Sequence, residues 1–267
     1  MKKKIFRYYI FIFFLISHLL LSLSCVNSEE YEKMKKEFRD VEYTNNFESF
    51  DSIYAQIPNY SEVSKTIAIM HTDFNKDILL PYKSVGLYQS TKQTAFVLGM
   101  YIADLGYVRH FERVQLCMDY LEAVNTLAQK LAVGSKEFNS VVPLVEENLN
   151  NRTELFRITD SLLNAGNIML ASNEKYGISA LVLSGLWTES LYIGLVSEGT
   201  IDSEIIKESI EKHFLILLEI NKLFDCLQDG SSISEIKTQL KSIQAKGSTS
   251  KNLLNDILQL RNCQTIN

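Results

Sequence analysis

Two acidic residues set in apolar segments are the side chains of this sequence best placed to do chemistry. Asp104 lies in "AFVLGMYIADLGY", and Glu189 lies at the matching position of "ALVLSGLWTESLY". A helix that is apolar on all sides is buried, so both carboxyl groups are expected inside the protein. A buried carboxylate needs hydrogen bonds or a countercharge, or else it takes up a proton.

Two hypotheses account for such a pair. In the first, each acid accepts hydrogen bonds from a helix end or a tyrosine, and so fixes the register of the helices. The predicted polar network then comprises Asp104, Tyr107, Glu189 and Tyr192. The cations named as candidate countercharges are Arg109, Arg113 and Lys175.

In the second hypothesis, the two acids converge on a polar cavity and act as an acid–base pair or bind a cation. Carboxylates with separated pKa values work in this way in many hydrolases. A role in packing is the favoured hypothesis, because structural networks also place acids in protein cores. We therefore assign no catalytic residue, and an enzymatic role is the less favoured alternative.

Other motifs that carry chemistry are missing from the sequence. E-x-x-H, H-E-x-x-H, G-x-S-x-G and the phosphate-binding loop do not occur, so no metal site and no cofactor is predicted. His71, His110 and His213 are far apart in sequence and are interpreted as surface or capping residues. Trp187 is interpreted as core material.

The elements that must position the acids are helical. Only three prolines occur and alternating strand patterns are scarce, which predicts an all-α, multi-helix bundle. The predicted helices are two short ones broken at Pro58, one over Thr91–Val133 closed by Gly134, three near 136–150, 152–173 and 175–197, one from Asp202 or Ser203 to Gly230, and a final pair around Gly247.

The two acidic segments also suggest an internal repeat. Each is followed by an amphipathic helix, which predicts two pseudo-repeated helical halves about a pseudo-twofold axis. A stripe of small residues on the first segment would let a neighbouring helix approach closely. Its members are Ala95, Gly99, Ala103 and Gly106.

The N-terminus is typical of an exported protein. Lys2, Lys3, Lys4 and Arg7 precede an apolar run that ends in "LSLSC", so residues 1–24 are predicted to be a signal peptide. Lipidation of Cys25 is the favoured interpretation. Ordinary cleavage at Ser22 and Ser24 and an uncleaved anchor are the alternatives. Residues 25–46 are charged and predict a tether, and residues 47–267 predict a single helical domain.

Net charge argues against nucleic acid as a partner. The whole chain carries −5, and the four basic residues of the leader contribute +4, so the remainder carries −9 and repels polyanions. Three further cysteines show no metal-binding spacing. Cys117 and Cys226 are interpreted as small buried hydrophobes, and export would permit one disulfide among Cys117, Cys226 and Cys263.

The two segments also resemble a known group of proteins. Patterns of the form G-x-Y-x-A-D-L-x-Y and G-x-W-x-E-x-L-Y are similar to those of uncharacterised, all-helical lipoproteins of the Gram-negative cell envelope. The resemblance implies an exported all-α protein and supplies no reaction. We therefore expect an outer-membrane lipoprotein, periplasmic or surface-facing, that binds the membrane through its lipid and a protein partner in the envelope.

Overall fold

A computed structural model describes residues 47–58, 73–133, 144, 147–148, 151, 153–155, 157–158, 161, 175–196, 203–227 and 231–265. These residues belong to one compact unit, which spans 40–267. The α-helices are α1 (Phe47–Tyr54), α2 (Thr91–His110), α3 (Val114–Lys130), α4 (Tyr176–Leu195), α5 (Ser203–Cys226), α6 (Ser231–Lys246) and α7 (Leu253–Gln264), and two 3₁₀ helices lie at Lys76–Ile78 and Tyr82–Leu87. The predicted all-α bundle is confirmed.

Helices α2 and α4 form the centre of the bundle. In α2, 15 of 20 residues are buried, and in α4, 18 of 20 are, because both sequences are apolar on every side. The two helices pack along each other, α3 covers α2, and α5 and α7 cover α4. Helix α4 is long and apolar enough to span a membrane, but it is buried among the other helices as a core helix is.

The central helices approach each other at two glycines. A Cβ on Gly99 would lie 1.9 Å from the carbonyl oxygen of Val182, and a Cβ on Gly185 would lie 1.7 Å from that of Phe96. The contact is reciprocal, because each glycine faces the carbonyl three residues before the other. The predicted close approach at Gly99 is confirmed, and only glycine fits at these two positions.

The single helix predicted over Thr91–Val133 is wrong, because α2 and α3 are separate. Glu112 adopts the left-handed conformation, with φ 56°, and two backbone hydrogen bonds close the end of α2 around it. The same arrangement ends α3 at Ala132, with φ 52°, two residues before the predicted Gly134. No glycine or proline marks either turn. The bonds from the following amides satisfy the last helical carbonyls.

The other predicted boundaries compare as follows. Helix α1 ends before Pro58, α5 begins at Ser203, and α6 and α7 flank Gly247, whose φ is 80°. Gly134, Gly230 and the segment after Pro58 lie outside the described residues, as do most of 136–150 and 152–173 and all of the predicted signal and tether. Within the described residues, Cys117, Cys226 and Cys263 form no disulfide with one another. Cys117 is buried as predicted, whereas Cys226 is only half-buried and Cys263 is exposed.

Each half of the predicted repeat contains one central helix and one covering helix. Helices α2 and α4 both have 20 residues, and each packs against the helix that follows it, α3 on α2 and α5 on α4. This arrangement fits two related halves. Their superposition stays a prediction.

Candidate functional site

The two acids meet at the centre of the bundle. Asp104 of α2 and Glu189 of α4 are each 0% exposed, and their carboxyl groups lie close enough for each to shift the pKa of the other. The predicted burial of both side chains is confirmed. Their meeting follows from the close packing of α2 on α4, since each acid lies about one helical turn beyond the glycine of its own helix.

Glu189 is paired with an arginine from the end of the chain. Arg261 Nε donates to Glu189 Oε2 at 2.7 Å, and its second nitrogen donates to Oε1 at 2.8 Å. The guanidinium lies 4.3 Å from the ring centroid of Tyr192 and also donates to the carbonyl of Ile78 at 3.4 Å. Helix α7 is therefore attached to the core by a fork-shaped ion pair, which is the strong geometry for arginine.

The cation bonded to Glu189 is Arg261, which is not among the countercharges predicted from the sequence. Lys175 donates to the carbonyl oxygens of Leu131 and Ala132, at 2.9 and 3.2 Å. Arg113 lies over the ring of Phe74, and Arg109 lies in the last turn of α2. All three are close to an acid in sequence. The cation that pairs with Glu189 comes from a helix 72 residues away.

Asp104 is held differently, by the backbone. Its Oδ2 accepts a hydrogen bond from the amide of Leu80 at 3.0 Å, and no N–H or O–H of the described residues is directed at Oδ1. Burial raises the pKa of Asp104 well above its usual range, and the negative charge of Glu189 raises it further. The positive charge of Arg261 and the amide of Leu80 oppose this shift of the pKa.

Arg261 acts differently on the two carboxyl groups. Burial also raises the pKa of Glu189, while the charge and hydrogen bonds of Arg261 and the hydrogen bond from Asp104 act to lower it. The ion pair with Arg261 favours the ionised form of Glu189, whereas burial and the charge of Glu189 favour the protonated form of Asp104.

The same cluster holds residues 73–81, a loop that contains the first 3₁₀ helix and that we call the strap. Tyr120 donates to the carbonyl of Leu80 at 2.6 Å, and Tyr101 donates to the carbonyl of Pro81 at 2.8 Å. Both tyrosines were missed by the sequence analysis. Burial raises the pKa of each, and the nearby Asp104 raises it further, so both stay neutral donors.

Tyr107 binds the strap through its hydroxyl group. Its hydroxyl accepts a hydrogen bond from the amide of Asn75 at 3.0 Å and donates to the carbonyl of Asp73 at 3.4 Å. The sequence placed Tyr107 in one polar network with the acids, and the hydrogen bonds of its hydroxyl described above go to the strap instead. Tyr192 contributes its ring face to Arg261, so this tyrosine does belong to the predicted network.

His213 also differs from its prediction, because it is fully buried rather than at the surface. Its Nδ1 contacts the carbonyl of Ser209 at 2.8 Å, and the pKa of His213 is lowered to about 4 by burial. The indole of Trp187, buried as predicted, donates to the backbone carbonyl of His213. Among the described residues, no three acidic, histidine or cysteine side chains cluster as metal ligands would.

The arrangement fits a packing role better than a reaction. Arg261 is bonded to both oxygens of Glu189, and one oxygen of Asp104 is bonded to the strap. No protein-family model, curated protein sequence or solved structure matches this chain. A function has to be inferred from its residues and their geometry.

Proposed function

We propose that this protein is an exported, lipid-anchored envelope protein whose helical bundle serves as a binding or scaffold module. The observation that carries the proposal is the two-point ion pair between Arg261 and Glu189. Of the two core acids predicted from the sequence, Glu189 has both of its oxygens bonded to a side chain of the same protein. Function is then expected at the surface.

Helix α5 offers such a surface. Leu215 is 66% exposed, Ile205 45% and Leu218 38%, and they lie along the outer side of this helix. Ion pairs border them, from Lys212 to Glu208 at 2.8 Å and from Lys222 to Glu219 at 2.7 Å. Large apolar side chains bordered by charges are typical of a surface that binds another protein. The partner we propose is therefore an envelope protein.

The N-terminal sequence supports the location. Four basic residues, an apolar run and "LSLSC" fit lipidation at Cys25, which would hold the bundle at the outer membrane, on its periplasmic or its external side. The tether of residues 25–46 would set the distance between the membrane and the bundle. Its charged composition suits a solvated spacer.

The alternative is a hydrolase-like enzyme that uses Asp104 and Glu189. Such an enzyme needs both carboxyl groups within reach of substrate and water. Both residues are 0% exposed and bonded to other parts of the chain, and no specific observation favours a substrate there. Loss of a hydrolytic activity in both Asp104→Asn and Glu189→Gln would support this alternative.

Site-specific crosslinking in the native envelope tests the proposal. A photoreactive residue at Leu215 should give one discrete adduct, whereas the same residue at Lys241, exposed on α6, should not. The adduct should be lost when Cys25→Ser removes the anchor. The same set of adducts from both positions would contradict a specific surface on α5.

A further inference from the structure

The strap is held in an unusual way, because side chains bind its backbone. Arg261 donates to the carbonyl of Ile78, Leu80 donates to Asp104, and Tyr120 and Tyr101 donate to the carbonyls of Leu80 and Pro81. The apolar side chains of Ile78, Leu79 and Leu80 are buried beneath these bonds. A buried backbone must have its polar groups satisfied, and here the acid–arginine cluster and the tyrosines satisfy them.

We propose that the strap is a proton-controlled clasp, in which the proton shared by Asp104 and Glu189 holds residues 78–81 closed against α2 and α7, and loss of that proton opens it. This device lies beyond the proposed binding role. It would hold whether or not the surface of α5 has a partner.

The geometry requires the proton. Both oxygens of Glu189 are bonded to Arg261, whereas Asp104 Oδ1 is buried and has no hydrogen-bond partner among the described residues. Without a proton, two carboxylates would abut at the centre of the bundle beside a single guanidinium. Two neighbouring negative charges in a buried site strongly destabilise the closed form. One acid therefore stays neutral, or the site opens to water.

Asp104 is the group of the cluster whose loss of a proton would open the strap as pH rises. The titratable groups that influence or contact it are Glu189 and Tyr192 of α4, Arg261 of α7, Tyr120 of α3, and Tyr101 of α2 with its neighbour Tyr88, while the strap contributes the Leu80 amide. The two-point ion pair with Arg261 favours the ionised form of Glu189, and arginine is always charged. Burial raises the pKa of Tyr101, Tyr120 and Tyr192 above that of free tyrosine.

The strap is the element that yields when the proton is lost. Helices α2 and α4 are in backbone contact at Gly99 and Gly185 and cannot separate without losing that packing. The strap is anchored by individual hydrogen bonds, one of them to Asp104 itself. Opening it admits water to the carboxylate, which is the cheapest way to relieve a buried charge.

Hydrogen exchange of the Leu80 amide in the full chain tests the clasp. Exchange should be followed between pH 5 and 9 and corrected for the intrinsic rate. The linkage between protonation and opening gives the direction in which protection changes with pH. A carboxyl group with a raised pKa in the closed form favours closure at low pH. Protection should therefore fall as pH rises, by up to about tenfold per pH unit, and level off at the raised pKa.

Two variants complete the experiment. Asp104→Asn keeps a donor toward Glu189 and an acceptor for Leu80 but cannot ionise, so its protection should not change with pH. Asp77→Asn removes an exposed acid from the same strap and should keep the wild-type profile. Flat protection in the wild-type protein, or the same slope in Asp104→Asn, would overturn the proposal.

A second readout needs only the wild-type protein, in case Asp104→Asn does not fold. A protonated buried carboxyl group gives its own carbonyl band in the infrared spectrum. The band should be present at pH 6 and should disappear with the same midpoint as the plateau of Leu80 protection. Absence of the band at pH 6 would also overturn the clasp.

Discussion

Arg261 of the last helix and Glu189 of the central helix α4 form a two-point ion pair inside the bundle, with bonds of 2.7 and 2.8 Å. The side chain of Glu189 is fully buried and that of Arg261 is 12% exposed. Such a pair adds little to the free energy of unfolding compared with a hydrophobic pair of the same shape, because both charges lose their hydration. Removing one partner leaves the other charge buried and unpaired.

Glu189→Gln should lower the free energy of unfolding by about 3–5 kcal/mol, because the guanidinium then lacks its countercharge. Urea denaturation followed by circular dichroism measures this loss. Glu208→Gln is the matched control, since it breaks an exposed pair with Lys212 and should leave the unfolding midpoint unchanged. Equal midpoints for the two variants would contradict a structural role for Glu189.

Asp104→Ala should cost about 1–3 kcal/mol, because it leaves the Leu80 amide without its acceptor and creates a small cavity. Asp104→Asn should cost less, since an amide reproduces both hydrogen bonds of a protonated carboxyl group. If Asp104 instead served a hydrolase whose active site stores strain, both variants should be as stable as the wild type or more stable.

The pH dependence of unfolding distinguishes these two explanations further. The folded-state pKa of Asp104 is raised from 3.8, so its contribution to stability is complete at acid pH and is lost as pH rises toward the raised pKa. Thermal melts between pH 5 and 8 should therefore show the wild type losing stability relative to Asp104→Asn. A constant difference between the two would mean that Asp104 is ionised in the folded protein.

The all-α class, the two central helices and the burial of both acids could be predicted because they follow from local apolar pattern. The partners of the acids could not. Arg261 is close to Glu189 only after α7 has packed on α4, and nothing near Arg261 in the sequence differs from an ordinary surface helix. Tyr101 lies in the quoted segment itself, yet its bond to Pro81 depends on where the strap runs. Tertiary packing decides such pairs.

The anchor is tested by labelling. If "LSLSC" is a lipoprotein signal, the mature protein should incorporate labelled palmitate and partition into detergent, and Cys25→Ser should abolish both. Cys263→Ser is a suitable control because that thiol is exposed and free and lies far from the N-terminus. Label that survives in Cys25→Ser would show that the lipid is elsewhere. Firm anchoring depends on more than one chain, since a single acyl chain binds membranes only weakly.

The contact between the central helices makes the sharpest structural prediction. An alanine in a helix is ordinarily more stable than a glycine by about 1 kcal/mol, so Gly99→Ala and Gly185→Ala would be stabilising if the site were open. Each new Cβ would instead lie within 2 Å of a backbone carbonyl that cannot move alone, and we expect a loss of about 3 kcal/mol or more.

Gly86→Ala is the matched control for this pair of substitutions. Nothing lies within 4 Å of a Cβ at Gly86, which is in the second 3₁₀ helix, so its substitution should change stability by less than about 0.5 kcal/mol. Denaturant midpoints of the three variants give the comparison. Because Gly99 and Gly185 face each other's helices, the double variant should lose less than the sum of the two single losses once the helices have moved apart. If Gly99→Ala matched Gly86→Ala, α2 and α4 would not be in backbone contact, and Asp104 and Glu189 would lose the packing that brings them together.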